Sequence, residues 1–170
     1  MDPPGRDGTD AGGMTASPTV PVSADVTRTR SAALRLLLTT TTVYVVLGLA
    51  AGLFYREFTK ANGFPEGMSG QLGLAHTHIL TLGAVIMLLV LALQKSFHLS
   101  DGRLFRWFFA FYNAGVLLTS ALLVWHGILQ VLGEEASAMI AGLAGVGHIL
   151  VGAGFVLLLL SLRAAIRREA

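Results

Sequence analysis

The residues best able to do chemistry in this chain are histidines. There are five, and four of them, His76, His78, His126 and His148, lie inside long apolar stretches. From Leu72 to Leu93 the chain has no Asp, Glu, Lys or Arg, a length that matches the roughly 30 Å hydrocarbon core of a bilayer. A titratable side chain inside such a segment is costly and points to a function. His76 and His78 are two apart, so on an α-helix they point about 200° away from each other and address different neighbours. Neutral imidazoles with no thiolate or carboxylate nearby are the donors of haem b, or of a histidine-only copper or zinc site. Haem takes one or two axial imidazoles from different helices, and small residues beside them make room for the macrocycle.

The composition places these histidines in a membrane. Hydrophobic residues make up 54% of the 170 and charged residues only 13%, with a mean hydropathy of +0.68, outside the soluble range. Cysteine is absent, which removes disulfides, thiolate metal sites and thioether-linked haem. The basic pI of about 9.4 reflects Lys and Arg at the ends of apolar segments, where they set orientation. Nucleic-acid binding is rejected on that ground, and no motif suggests hydrolysis or a nucleophile.

Residues 1–30 are rich in Pro, Gly, Thr, Ser and Asp, too polar to offset ordering entropy, and read as a disordered cytoplasmic tail. Residues 31–170 read as an all-α integral membrane four-helix bundle with spans at about 36–55, 72–93, 107–132 and 137–162. The segment from Arg56 to Ser69 is polar, with Asn-Gly and Pro turn signals. Of the twelve Lys and Arg, ten fall on the side of the two termini and the 94–106 connection, and only Arg56 and Lys60 on the other. That bias puts both termini in the cytoplasm of a multi-pass protein of the bacterial cytoplasmic membrane. The lipid bilayer is its first partner.

With this topology His76 lies about 6 Å, His78 about 9 Å, His126 about 9 Å and His148 about 17 Å below the outer ends of their spans. Three helices thus deliver four histidines to the outer half of one bundle, while His98 falls in a cytoplasmic connection. Helical phase groups Ala141, Ala144, Gly145, His148, Val151 and Gly152 into one small-residue stripe, expected to pack inward. Gly115, Thr119, Leu122, His126, Gln130 and Gly133 form the corresponding stripe on the third span. His76 shares its face with Gly73, Leu80 and Gly83, and His78 with Gln71, Thr81 and Val85.

The leading expectation is a protein that binds haem b, or alternatively copper, through His76, His78, His126 and His148. Its role would be electron transfer, haem handling or gas and redox sensing, with Arg56 as a propionate partner. The competing expectation is a cofactor-free accessory or interaction protein whose histidines form interhelical hydrogen bonds. A transporter is a third reading, disfavoured because proton relays in membranes usually include Asp or Glu. Catalytic residues are not expected. A redox partner or a homodimer fits the small-residue stripes, and Trp107, Trp125 and Tyr55 read as interfacial belt residues.

Two resemblances follow from particular motifs. Tyr55-Arg56-Glu57-Phe58-Thr59-Lys60, the run His76-Thr77-His78-Ile79-Leu80-Thr81-Leu82-Gly83, His126-Gly127 with Gln130 to Gly133, and Gly145-Val146-Gly147-His148 resemble a family of small four-span bacterial membrane proteins of unknown function. That likeness covers about residues 32–165 and implies a fold and a location but no activity. Ala75-His76-Thr77-His78, with a Gly five residues on, is also similar over about ten residues to the His-x-His helix of the haem–copper oxidase catalytic subunit. There the two histidines ligate two different haems, so the resemblance implies axial roles for His76 and His78. The chain lacks the eight further spans and the copper-ligand set of that subunit, so oxygen reduction is not implied.

Overall fold

A computed structural model of the chain describes residues 24–65 and 70–169. Among them are four helices long and apolar enough to cross a membrane. The first is α1 (Ala24–Ala61). The second span is composite: α2 (Gln71–His78), a π-helical segment (Ile79–Val85) and α3 (Ile86–Phe97). A single 3₁₀ turn (Leu99–Asp101) leads into α4 (Arg103–Leu132), and α5 (Ala138–Glu169) follows. We call the end that holds the α1–α2 and α4–α5 connections the upper end.

The helices outrun the expected spans because the apolar run stops at the bilayer boundary while the hydrogen-bonded ladder continues into water. One consequence corrects the sequence reading. Residues 24–30, assigned there to a disordered tail, form the first turns of α1, where Thr29 Oγ1 donates to the Asp25 carbonyl. Residues 1–23 of that tail lie outside the described residues.

Packing is uneven around the bundle. α1 rests on α2, the π segment and α3, while α4 rests on α2 and the π segment. α5 runs along α4 and otherwise reaches α3 and the 3₁₀ turn only slightly. The core fills the α1–α3–α4 interior with Leu37, Met87, Val90, Phe108, Tyr112 and Val116, all buried. Outward faces carry Val46, Leu49, Ile149 and Leu159, largely exposed, as lipid-facing surfaces should be. Trp107 and Trp125 are exposed near opposite ends of α4, the positions of an aromatic belt.

Close backbone approach replaces hydrophobic drive between helices in lipid. At Gly115 an added Cβ would stand 2.6 Å from the Val151 backbone nitrogen and 2.8 Å from the Gly147 carbonyl, so α4 and α5 touch main chain to main chain. Gly127 meets the backbone of Leu72 in the same way, joining α4 to α2.

Polar groups at the ends are paired. At the upper end the Gln130 side chain accepts from the Gln71 N–H at 3.0 Å, capping α2. Gly133 (φ 75°) ends α4, with Glu134 N–H bonded to Leu129 O at 2.9 Å, the 6→1 closure of a Schellman motif. At the lower end Arg30 and Asp101 form an ion pair at 2.6 Å, tying the start of α1 to the 3₁₀ turn. The hydrogen bond from Arg30 holds the Asp101 carboxyl below its ordinary range. Buried Gln94 bonds both the Ser100 hydroxyl and the Ser100 N–H.

Candidate functional site

Each histidine can be placed by following the chain from those contacts. Leu72 abuts Gly127, and Thr119 abuts Gly147. On α4 these two levels are eight residues apart, about 12 Å. Measured down from Leu72, His126 lies near 1.5 Å, His76 near 6 Å, His78 near 9 Å and His148 near 13–14 Å, all approximate axial distances. The expected gathering in one half of the bundle holds in depth, but it divides by side.

Seen from the upper end, α1 and α5 flank the α2–α4 contact on opposite sides. Ser120 and Val124 of α4 line a recess of about 380 Å³ with Tyr44, Leu47 and Phe54 of α1, whereas Gly115 and Thr119 turn to α5. His76 is on the α1 side. Its ring stacks on Tyr55 (centroids 6.1 Å apart, planes at 14°), and a Cβ at Gly52 would come into van der Waals contact with it. The other members of its expected face behave alike: Gly73 meets Tyr55, Gly83 meets Tyr44 and Leu80 meets Gly48. Tyr55, read from the sequence as an interfacial residue, is therefore half-buried packing for His76. The His76 Nδ1 is buried with no hydrogen-bond partner among the described residues.

His78, about 200° further around α2, turns away from α1. Helical phase carries His148, the residue after the α4-facing Gly147, back toward α2. α2 and α5 both pack on α4 and scarcely on one another, which leaves an open groove, or recess, between them. By helical phase both histidines fall on its rim, His78 half-buried and His148 exposed, about 4–5 Å apart in depth. His126 sits half-buried on the α5-facing side of α4, nearer the upper end.

The stripe Ala141, Ala144, Gly145, His148, Val151 and Gly152 is not the packed face of α5. The buried positions are Ile140, Gly147, Gly154, Leu158, Ser161 and Ala165; of the expected stripe Val151 packs against Gly115 of α4, whereas His148, Gly145 and Gly152 are exposed. Nothing stands within 4 Å of a Cβ built at Gly142, Gly145 or Gly152. The physical reason is that α5 touches one long neighbour, so a single narrow line suffices, and it falls on Gly147 and Gly154, whose neighbours Thr119 and Tyr112 demand the space.

The two recess histidines share a hydrogen-bond pattern. His78 Nδ1 lies 2.9 Å from Leu74 O, and His148 Nδ1 lies 2.8 Å from Ala144 O. A carbonyl only accepts, so Nδ1 carries the proton in both rings, and in the neutral ring Nε2 holds the lone pair. That is the state of a metal-ligating histidine, whose other nitrogen donates to a carbonyl or carboxylate.

The π segment begins one residue after His78. The Ile86 N–H bonds the carbonyls of Thr81 and Gly83, which leaves Leu82 O without its ordinary α-helical donor. The Tyr112 hydroxyl donates to it at 3.0 Å. Single-turn π insertions cluster at functional sites. Sequence periodicity gave no warning of it, since an apolar run reads alike in either register.

Arg56 lies on the His76 side of α2. It lines an upper-end cleft of about 700 Å³ with Tyr55, Thr59, Lys60, Gly63, Phe64 and Pro65. It is remote in phase from the His78–His148 recess. His98 is half-buried at the C-cap of α3 in the left-handed conformation (φ 51°). Among the described residues no three of His, Asp and Glu stand close enough together to hold one metal ion.

No match was found among curated proteins or among solved structures. A family model described as "Protein of unknown function (DUF2871)" matches residues 34–165, nearly the whole of the four-helix region, and the chain belongs to that family.

Proposed function

We propose that this multi-pass membrane protein binds haem b in the recess between α2 and α5, where His78 and His148 would hold it through Nε2. The observation that carries the reading is the paired Nδ1–carbonyl hydrogen bonds at 2.9 and 2.8 Å, which hold both rings in the ligating tautomer. The open positions at Gly145 and Gly152, one turn either side of His148, give a flat ring the space that the packed His76 side lacks. When bound, haem supplies one-electron transfer or diatomic gas binding. The chain itself orients the two imidazoles through their Nδ1–carbonyl hydrogen bonds.

Haem fits better than copper here, because it asks for one or two imidazoles while a histidine-only copper or zinc centre asks for three or more. His76 and His126 then serve packing, and Arg56 is not placed to meet a propionate in this recess. The Lys and Arg bias supports cytoplasmic termini in a bacterial cytoplasmic membrane, with the recess in the outer half. A redox partner or second copy would approach along the open face of α5. A second reading, a cofactor-free accessory protein, is favoured by the His76–Tyr55 stack that joins α1 to α2. A reduced-minus-oxidised absorption spectrum of purified protein offered haem decides between them. Haem bands altered or weakened in His78→Ala and in His148→Ala, absent when both are replaced, and kept in His98→Ala support the proposal. A colourless, folded protein that ignores haem overturns it.

A further inference from the structure

The upper-end cleft carries a reading independent of haem. The apolar stretch of α1 from Leu36 to Tyr55 is about 30 Å long, the thickness of the hydrocarbon core. Arg56 therefore stands at its boundary, and Lys60, one turn on, about 6 Å further out within the headgroup layer. Both line the same cleft of about 700 Å³, a volume in the range of ligand sites. They are the only two cations among the ionisable side chains on this side of the expected topology.

The cleft is held in shape by backbone. α1 ends in a Schellman closure, with Phe64 N–H on Thr59 O at 3.0 Å and Gly63 N–H on Lys60 O at 3.3 Å. Gly63 takes φ 63°, a conformation glycine adopts without strain, and this folds Phe64 and Pro65 back as a wall beside the two cations. Thr59 Oγ1 is committed to the Tyr55 carbonyl at 2.8 Å. Among the described residues Arg56 pairs with Glu57, 3.6 Å from its Nε, in a pair whose side chains are 58–74% exposed. A contact so solvated competes weakly with a better-placed oxyanion. Lys60 also answers the C-terminal end of the α1 dipole, but that role does not require Arg56 in the same cleft or a folded-back wall.

We propose that this cleft is a phosphate site at the membrane surface, in which Arg56 forks onto phosphate oxygens and Lys60 adds a point charge. The phosphate is that of an anionic lipid headgroup or of a free phosphate ion, and the test separates the two. Fluorescent phosphatidylglycerol is titrated onto the purified full-length protein in neutral detergent and followed by anisotropy. Fluorescent phosphatidylcholine and inorganic phosphate as competitor form separate arms. Each basic group near an anionic lipid surface contributes about fivefold, so Arg56→Gln and Lys60→Gln each weaken phosphatidylglycerol binding about fivefold and the double variant about 30-fold. Arg56→Lys, which keeps the charge but loses the fork, weakens binding less than Arg56→Gln does, Lys60→Arg stays within about threefold, and phosphatidylcholine binds weakly to all. Displacement by millimolar inorganic phosphate supports the site and assigns it to the free ion; resistance assigns it to the lipid. The proposal is overturned if the double Gln variant binds like the wild type. It is also overturned if the loss appears instead on neutralising Arg163, Arg167 and Arg168 at the opposite end.

Discussion

Replacing Gly115 by Ala puts one methyl group into the seam where α4 and α5 touch main chain to main chain. The new Cβ would lie 2.6 Å from Val151 N and 2.8 Å from Gly147 O, both backbone atoms, and 2.8 Å from Val151 Cγ2. No rotamer change relieves a contact with main chain, so α5 must retreat. Restoring an ordinary 3.4 Å contact needs a shift of about 0.8 Å, enough to forfeit a quarter to a half of the dispersion energy along the displaced surface. Overpacking of this kind costs about 1–3 kcal/mol. The control lies on the same helix pair. Gly145 and Gly152 face open space, so alanine there removes a glycine from a helix interior and is neutral or favourable by up to about 0.5–1 kcal/mol. Sodium dodecyl sulfate titrated into mixed micelles, read by far-UV circular dichroism, measures the difference. Gly115→Ala should unfold at clearly lower detergent fraction, and Gly145→Ala and Gly152→Ala at the same or higher. Equal midpoints for all three would refute the assignment of the packed face of α5.

Three further outcomes follow from named contacts. Tyr112→Phe removes the donor to Leu82 O, should cost about 0.6–1.7 kcal/mol as intramembrane hydrogen bonds do, and should speed amide exchange in residues 82–87. Gln130→Ala uncaps α2 by removing the acceptor for Gln71 N–H, at about 0.5–2 kcal/mol, visible as faster exchange at Gln71 and Leu72. Asp101 has a lowered folded pKa caused first by its hydrogen bond with Arg30. Its contribution is therefore present above the unfolded value near 3.9 and lost as pH falls through the lower folded value. Asp101→Asn should cost no more than about 1 kcal/mol at pH 7 and flatten the acid limb of the stability curve. An unchanged acid limb would show that Arg30–Asp101 is not a working pair.

The spans were legible because twenty-residue runs without charge match a bilayer, but the helix ends were not, since α1 begins at Ala24 and α5 continues to Glu169, well beyond the apolar runs. The facing of α4 was legible too: Gly115 and Thr119 are buried against α5, and Gln130 reaches α2. The facing of α5 was not, because it carries glycine on two sides. Gly147 and Gly154 pack while Gly145 and Gly152 stay open, and composition cannot rank two small-residue stripes. For the same reason the sequence grouped four histidines that the fold sorts into two sides of α2. The separation of His76 from His78 followed from their two-residue spacing, but which one met α1 depended on Tyr55 and Gly52. The Nδ1–carbonyl bonds of His78 and His148, each reaching one turn back, depend on rotamers that no sequence pattern specifies.

The most direct test of the account is titration of haem into the purified protein and its His78→Ala, His148→Ala and His76→Ala variants, followed by absorption in both redox states. The account predicts a stoichiometric bis-imidazole spectrum in the wild type and in His76→Ala, an altered or weaker one when either His78 or His148 is missing, and none when both are. A wild-type protein that stays folded and leaves the spectrum of free haem unchanged would contradict it, as would binding that survives loss of both recess histidines.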